Sequence, residues 1–233
     1  NGNVDLITRL LKYPMNVQRG LFVALNYKRT HLLNHLFLAG ADVNFTYQGG
    51  NTTLHYVKDK ESCQWLLDMG VKQVRNNLGN TPLYNACRRQ NIDIIKLLLS
   101  HFDNSINFTD KGSSPLAIAC HKNNVEIVKL LLEHGQEESI DRPDENGNTP
   151  LFEACHNGSL DIVKLLLQYD QGIRSITMLN KHLETPLSRA CCLGRIDIVR
   201  LLLTYEQGIQ TISGVDIRGH TPLYEACAAA NVD

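Results

Sequence analysis

Thr81-Pro82-Leu83-Tyr84-Asn85-Ala86-Cys87 recurs down the chain as Ser114-Pro115-Leu116-Ala117-Ile118-Ala119-Cys120, Thr149-Pro150-Leu151-Phe152-Glu153-Ala154-Cys155, Thr185-Pro186-Leu187-Ser188-Arg189-Ala190-Cys191 and Thr221-Pro222-Leu223-Tyr224-Glu225-Ala226-Cys227. Each block reads as the start of a short helix. The hydroxyl caps the free amides of the first turn. Proline at the first helical position loses no hydrogen bond and has its φ preset. Leucine, alanine and cysteine then share one face. A second block follows at fixed distance: Asp93-Ile94-Ile95-Lys96-Leu97-Leu98-Leu99, Glu126-Ile127-Val128-Lys129-Leu130-Leu131-Leu132, Asp161-Ile162-Val163-Lys164-Leu165-Leu166-Leu167 and Asp197-Ile198-Val199-Arg200-Leu201-Leu202-Leu203. Asn91, Asn124 and Ser159 are the expected N-caps of these second helices, and the acidic residue suits the positive end of the helix dipole. The stripe of Ile94, Ile95, Leu97 and Leu98 is too wide for an isolated hairpin, so a neighbouring pair of helices must cover it.

Weaker copies lie upstream: Thr52-Thr53-Leu54-His55 with Trp65-Leu66-Leu67, and Leu21-Phe22-Val23-Ala24 with Leu32-Leu33 and Leu36-Phe37-Leu38. Counted from the recurring leucine, the spacings are 33, 29, 33, 35, 36 and 36 residues. The short one predicts a trimmed first helix or turn between Leu54 and Trp65. These residues resemble the ankyrin-repeat family, whose pattern is a turn and two helices with a Thr-Pro-Leu-His-x-Ala signature at a period near 33. The resemblance implies an all-α ankyrin-repeat solenoid of stacked helix-turn-helix units with short β-hairpin or loop fingers. It covers essentially the whole chain as one domain, 1–233. A half repeat at 1–14 precedes repeats at about 15–46, 47–75, 76–108, 109–143, 144–179 and 180–215, and a partial repeat at 216–233 follows. No polar capping repeat is evident at either end, so the chain reads as a piece of a longer array.

Departures from the family pattern carry expectations of their own. Tyr84, Ala117, Phe152, Ser188 and Tyr224 stand where the signature histidine belongs, and only His55 matches; the loss predicts lower stability or compensation by packing. Gly79, Gly112, Gly147 and Gly219 suit a turn that needs positive φ. Leu183 replaces that glycine in one repeat, which predicts an irregular turn. The longer linkers around Gln171-Gly172-Ile173 and Gln207-Gly208-Ile209 predict longer projecting fingers.

The rest of the composition narrows the function. With 23 basic and 24 acidic residues the chain lacks the cationic excess of a nucleic-acid binder. No apolar run approaches the about 20 residues of a membrane span. Cys87, Cys120, Cys155, Cys191 and Cys227 share one repeat phase. Equivalent side chains in stacked repeats lie about 10 Å apart, beyond the about 7 Å between Cα atoms that a disulfide tolerates. They read as small buried hydrophobes in a reducing, cytoplasmic setting, with the nucleus as an alternative. Cys192 points more outward and is the one candidate reactive thiol. His31 and His35 have the spacing of paired metal ligands, but no third ligand stands near, and a packing role fits better. The sequons at Asn44, Asn51, Asn107 and Asn157 read as incidental. No phosphate loop, dinucleotide turn or nucleophile elbow occurs, so no enzymatic activity and no cofactor are expected.

The resemblance implies binding of another protein on the concave side, through finger tips and the exposed face of the first helix. Carried over by position, the candidates are Asn77, Leu78, Lys111, Glu145 and Arg218 on fingers. On first helices they are Arg88, Arg89, Ile118, His121, Lys122, Glu153, His156, Asn157, Arg189 and Leu193. The mildly basic ends of these helices read either as a solvated face or as a groove for acidic or phosphorylated segments, which Arg recognises by its fork of donors. The expected role is an interaction scaffold, monomeric as this fragment. The alternatives are a recruitment arm of a larger enzyme, channel or pathogen effector, and a stacking segment without a discrete partner.

Overall fold

The computed structural model describes residues 17–102, 113–135 and 137–230. The half repeat expected at 1–14, and Lys111 and Gly112, lie outside the described residues. Among the described residues the fold is all-α, a succession of paired short helices. The chain divides into two compact units, Asn1–Ile106 and Asn107–Asp233.

In the first unit the helices are α1 (Val17–Asn26), α2 (Thr30–Leu38), α3 (Thr53–Tyr56), α4 (Lys60–Asp68), α5 (Pro82–Arg88) and α6 (Ile92–His101). Thr81 is extended, and its hydroxyl accepts the Tyr84 amide at 3.1 Å, which sets Pro82 as the first helical residue of α5. Asn91 caps α6 by accepting the Ile94 amide. The apolar stripe of α6 buries Ile94, Ile95, Leu98 and Leu99 and leaves Leu97 half-buried. First helices pack on first helices, α3 on α5, and second on second, α4 on α6. The short spacing has the predicted consequence: α3 is a single turn of 4 residues. His55, the only signature histidine, is wholly buried; its Nδ1 accepts the Thr52 amide at 3.1 Å, and its Nε2 lies 3.1 Å from Asn80 O in the next repeat.

The second unit holds α7 (Pro115–His121), α8 (Val125–Glu133), α9 (Pro150–Asn157), α10 (Leu160–Leu166), α11 (Asp170–Ser175), α12 (Pro186–Cys192), α13 (Ile196–Leu202), α14 (Glu206–Gln210) and α15 (Pro222–Ala230). α9 lies between α7 and α12, and α12 packs on α15. Ser159 does not cap α10 as expected: its hydroxyl instead donates to Asn123 Oδ1 of the preceding repeat. The missing histidine is compensated locally at Ser188, whose Oγ accepts the Thr185 amide at 2.9 Å and completes a capping box.

Two expectations about the linkers are corrected. The extra residues around Gly172 and Gly208 do not lengthen the fingers. They fold into the added short helices α11 and α14, directly after the second helix. Each glycine lets this helix sit against a carbonyl: a Cβ on Gly172 would lie 2.0 Å from Leu166 O, and one on Gly208 2.0 Å from Leu202 O. The turn at Leu183 is not irregular either. Leu183 adopts φ 57°, beside 78° for Gly79 and 82° for Gly147. The same two backbone bonds close the turn, Leu183 N to Asn180 O and Asn180 N to Glu184 O.

The fingers are loops. Among the described residues the only β pairing is an isolated bridge between Thr46 and Thr52. In four of the described fingers one side chain at a fixed position shapes the turn, whereas Tyr47 stands there in the finger before Thr52. Asn76 Oδ1 accepts the Leu78 and Asn80 amides, Asp144 those of Asn146 and Asn148, Asn180 those of His182 and Glu184, and Asp216 those of Arg218 and His220, all at 2.8–3.0 Å. Neighbouring fingers are joined by one backbone bond each: Asn77 N to Gly49 O in the first unit, Lys181 N to Asn146 O and Ile217 N to His182 O in the second.

Leu183→Gly is expected to stabilise the protein by about 0.5–1 kcal/mol. The left-handed backbone costs leucine about 1–2 kcal/mol, and the added glycine entropy offsets only part of that. Gly172→Ala is expected to destabilise by about 1–3 kcal/mol or more, because the new methyl meets fixed backbone. Urea midpoints of the two variants against the parent protein check both signs.

Candidate functional site

The candidate residues of the first unit lie on α5 and the finger before it. Leu78 and Asn77 are exposed at the finger tip. Arg88 is exposed at the end of α5. Arg89 follows it but is committed elsewhere: its Nη1 donates to His55 O at 3.0 Å and Val57 O at 3.3 Å. Burial, and then the charge of Arg88, lower its pKa. Arg89 thus closes the C-terminal carbonyls of the preceding short helix, with Asn91 Nδ2 donating to Lys58 O alongside.

In the second unit Asn157, at the position equivalent to Arg89, does the same work. Its Nδ2 donates to His121 O at 2.8 Å and Cys120 O at 3.3 Å. Arg195, outside the sequence-derived candidates, reaches His156 O in the same manner at 3.4 Å. Part of the surface expected to face a partner therefore binds one repeat to the next.

Ile118 is a correction. It is only 9% exposed, packed into the unit instead of presented on its face. The broad apolar surface of α7, with Leu116, Ala117, Ala119 and Cys120 also buried, explains why.

Three further candidates of this unit, His121, Glu153 and Arg189, join a polar chain that crosses repeats. His121 Nδ1 lies 2.8 Å from Glu153 Oε2, and Asn148 Nδ2 donates to Glu153 Oε1 at 3.1 Å. Asn180 Nδ2 donates to Asn148 Oδ1 and to Glu184 Oε2, and Arg189 Nη1 approaches Glu184 Oε1 at 3.7 Å. The Arg189 guanidinium also lies over the Phe152 ring, 5.7 Å from its centre. Burial, and then the Arg189 charge, lower the pKa of half-buried His156. Lys122, Glu145 and Leu193 are exposed.

Asn148, Asn180 and Glu184 were not singled out from the sequence. The signal that could have found Asn180 is the Asx residue five positions before the capping threonine, shared by Asn76, Asp144 and Asp216, whereas Asn148 and Glu184 stand one position before Thr149 and Thr185 and carry no such mark.

Arg218 forms the head of the last described finger. Its guanidinium donates to Asp216 Oδ2 at 2.8 Å and Glu225 Oε1 at 2.7 Å, and His220 Nδ1 lies 2.9 Å from the same Glu225 oxygen. Asp216, His220 and Glu225 are close enough to one another to suggest a metal site. Arg218 already supplies the positive charge that these carboxylates face. Burial pushes the Asp216 carboxyl up, but the amides of His220 and Arg218 and the Arg218 guanidinium outweigh it and hold it at about 2.

The cysteines divide. Cys87, Cys120 and Cys155 are buried free thiols whose pKa is raised by burial; Cys191 is half-buried and Cys227 exposed. Cys192 is half-buried and its pKa is raised by burial and by Glu225, the opposite of an activated thiolate. His31 and His35 are both exposed, not packed, with His35 Nδ1 3.2 Å from His31 O. No helix among the described residues is long and apolar enough to cross a membrane.

The architecture is that of a tandem-repeat recognition module. The family described as "Ankyrin repeats (3 copies)" matches residues 21–110 and 101–177, and that described as "Ankyrin repeat" matches 182–212. The chain belongs to the ankyrin-repeat family. Among solved structures it is similar to the ankyrin repeat domain of human ASB11, at 25% identity and a TM-score of 0.69, over 88% of this chain and 90% of that one. No curated protein matches it. Ankyrin repeats are generally protein–protein interaction modules, and the fold is typically non-enzymatic.

Asp216→Asn keeps an acceptor for the finger amides but removes the charge facing Arg218. The native carboxyl titrates at about 2, below the about 4 of an unfolded aspartate. The stability it contributes is therefore present above pH 4 and lost as pH falls through 2. The variant is expected to be less stable than the parent at pH 6, with the gap closing below pH 4. Urea denaturation at several pH values tests this, and a gap independent of pH refutes it.

Proposed function

We propose that this chain is an interaction scaffold that binds a partner protein through finger tips and first-helix ends. The carrying observation is that Leu78, Arg88, Lys122, Glu145 and Leu193 are exposed on elements fixed by capping and by finger-to-finger backbone bonds. A surface already held in place loses little conformational entropy on binding. Repeat boundaries at about 15–46, 47–75, 76–108, 109–143, 144–179 and 180–215, within one domain 1–233, belong to this reading, as do a monomeric state and a cytoplasmic setting.

Arg88 and Lys122 leave each unit with an exposed cation beside the first-helix end, which suits acidic or phosphorylated partner segments. Arg89, His121, Glu153, Asn157 and Arg218 are held by intrachain bonds within the same surface. The same geometry serves a recruitment arm of a larger enzyme, channel or effector.

Affinity capture with the parent chain, and with Arg88→Glu and Lys122→Glu, tests the reading. At least one captured protein is expected to bind the charge-reversed variants about tenfold more weakly, and to lose sensitivity to salt. Capture unaffected by both reversals sinks the acidic-segment reading. Absence of any saturable partner sinks the scaffold.

A further inference from the structure

The candidate surface drawn from the family pattern omits an aromatic pocket of the first unit. Phe22 on α1, Tyr56 on α3, and Phe45 and Tyr47 from the intervening finger converge around an open pocket of about 530 Å³. That size falls within the roughly 300–1,000 Å³ of ligand sites. The rings meet mostly edge to face: Phe22 and Tyr56 at 4.8 Å between centres, Phe45 and Tyr47 at 5.0 Å, Tyr47 and Tyr56 at 5.9 Å. Phe45 is exposed, and the other three are half-buried.

The pocket wall is held in place by hydrogen bonds. Gln18 Nε2 donates to the Tyr47 hydroxyl at 2.9 Å, that hydroxyl donates to Gln18 O at 3.2 Å, and Gln18 Oε1 accepts the Asp42 amide at 2.9 Å. These bonds join α1 to the finger.

The polar lining decides the ligand. Arg19 and Gln48 stand at the rim, both exposed, and no carboxylate is among the lining residues. A cation would meet ring faces but also the Arg19 charge, so an ammonium group is disfavoured. Side-chain donors at the rim suit a partner rich in unpaired carbonyls. An extended polyproline segment has no internal hydrogen bonds and a solvated backbone, and aromatic-lined grooves take its rings at low entropic cost. The Arg19 guanidinium suits a carboxylate beside them.

We propose that this pocket receives proline from an acidic, extended segment of a partner protein. The proposal rests on the scaffold reading and assigns a partner chemistry to a site outside its candidate residues.

The test is selection from a phage-displayed random dodecapeptide library on the parent chain, with synthetic copies of the enriched peptides measured by calorimetry. Enrichment in proline with flanking Asp or Glu is expected. Each of Phe45→Ala, Arg19→Glu and a proline-to-alanine peptide is expected to weaken binding about tenfold or more, while circular dichroism shows both protein variants folded. Should one variant unfold, the other and the peptide substitution still decide the matter. Basic peptides, aromatic peptides without proline, peptides indifferent to Phe45 and Arg19, or no enrichment at all each overturn the proposal. Any of these failures, alongside partner capture that still depends on Arg88 or Lys122, leaves the scaffold reading intact and removes only the proline pocket.

Discussion

A helix of 7 residues, the length of α5, α7 and α12, is nearly all ends. Its first amides and last carbonyls have no partner within the helix, and a buried polar group without a partner costs about 1–3 kcal/mol. The capping threonine or serine settles one end within the repeat. At the other end local amides cap α5 and α7, and a side chain of the following repeat adds bonds from outside, Arg89 to His55 O of the single-turn α3 and Asn157 to Cys120 O of α7. Within each unit, then, a following repeat reaches back to the carbonyls of a first helix before it.

This constraint explains why candidate residues took on roles that position alone did not disclose. Arg89 and Asn157 occupy the same phase with different chemistry, and both reach backward to carbonyls. His121 and Glu153 were read as two separate contacts; they form one pair, extended through Asn148 and Asn180. Within each unit, several residues of the candidate surface are thus hydrogen-bonded to a neighbouring repeat.

Much of the fold was legible in the sequence because its causes are local. The Thr-Pro starts, the alternate stripes and the shortened α3 follow from capping, fixed φ and spacing. What escaped depended on contacts between segments. The Gln171-Gly172-Ile173 insertion reads as loop extension, and only the close approach of Gly172 to the Leu166 carbonyl shows that it folds as a helix. Leu183 reads as a broken turn, whereas Asn180 holds the backbone firmly enough to impose positive φ. The pocket of Phe22, Phe45, Tyr47 and Tyr56 gathers residues from two repeats that share no motif, so no single-repeat pattern pointed to it.

The accessory helices α11 and α14 have a consequence for the growth of the molecule. They occur in consecutive repeats spaced 36 residues apart, each seated by a glycine on the carbonyl of the preceding helix. Together with the Asx-shaped finger and the capping threonine they make a cassette whose entry and exit registers agree. Copying or deleting one such cassette shifts the chain by one whole repeat period. The array can change length in whole steps without relearning how to fold.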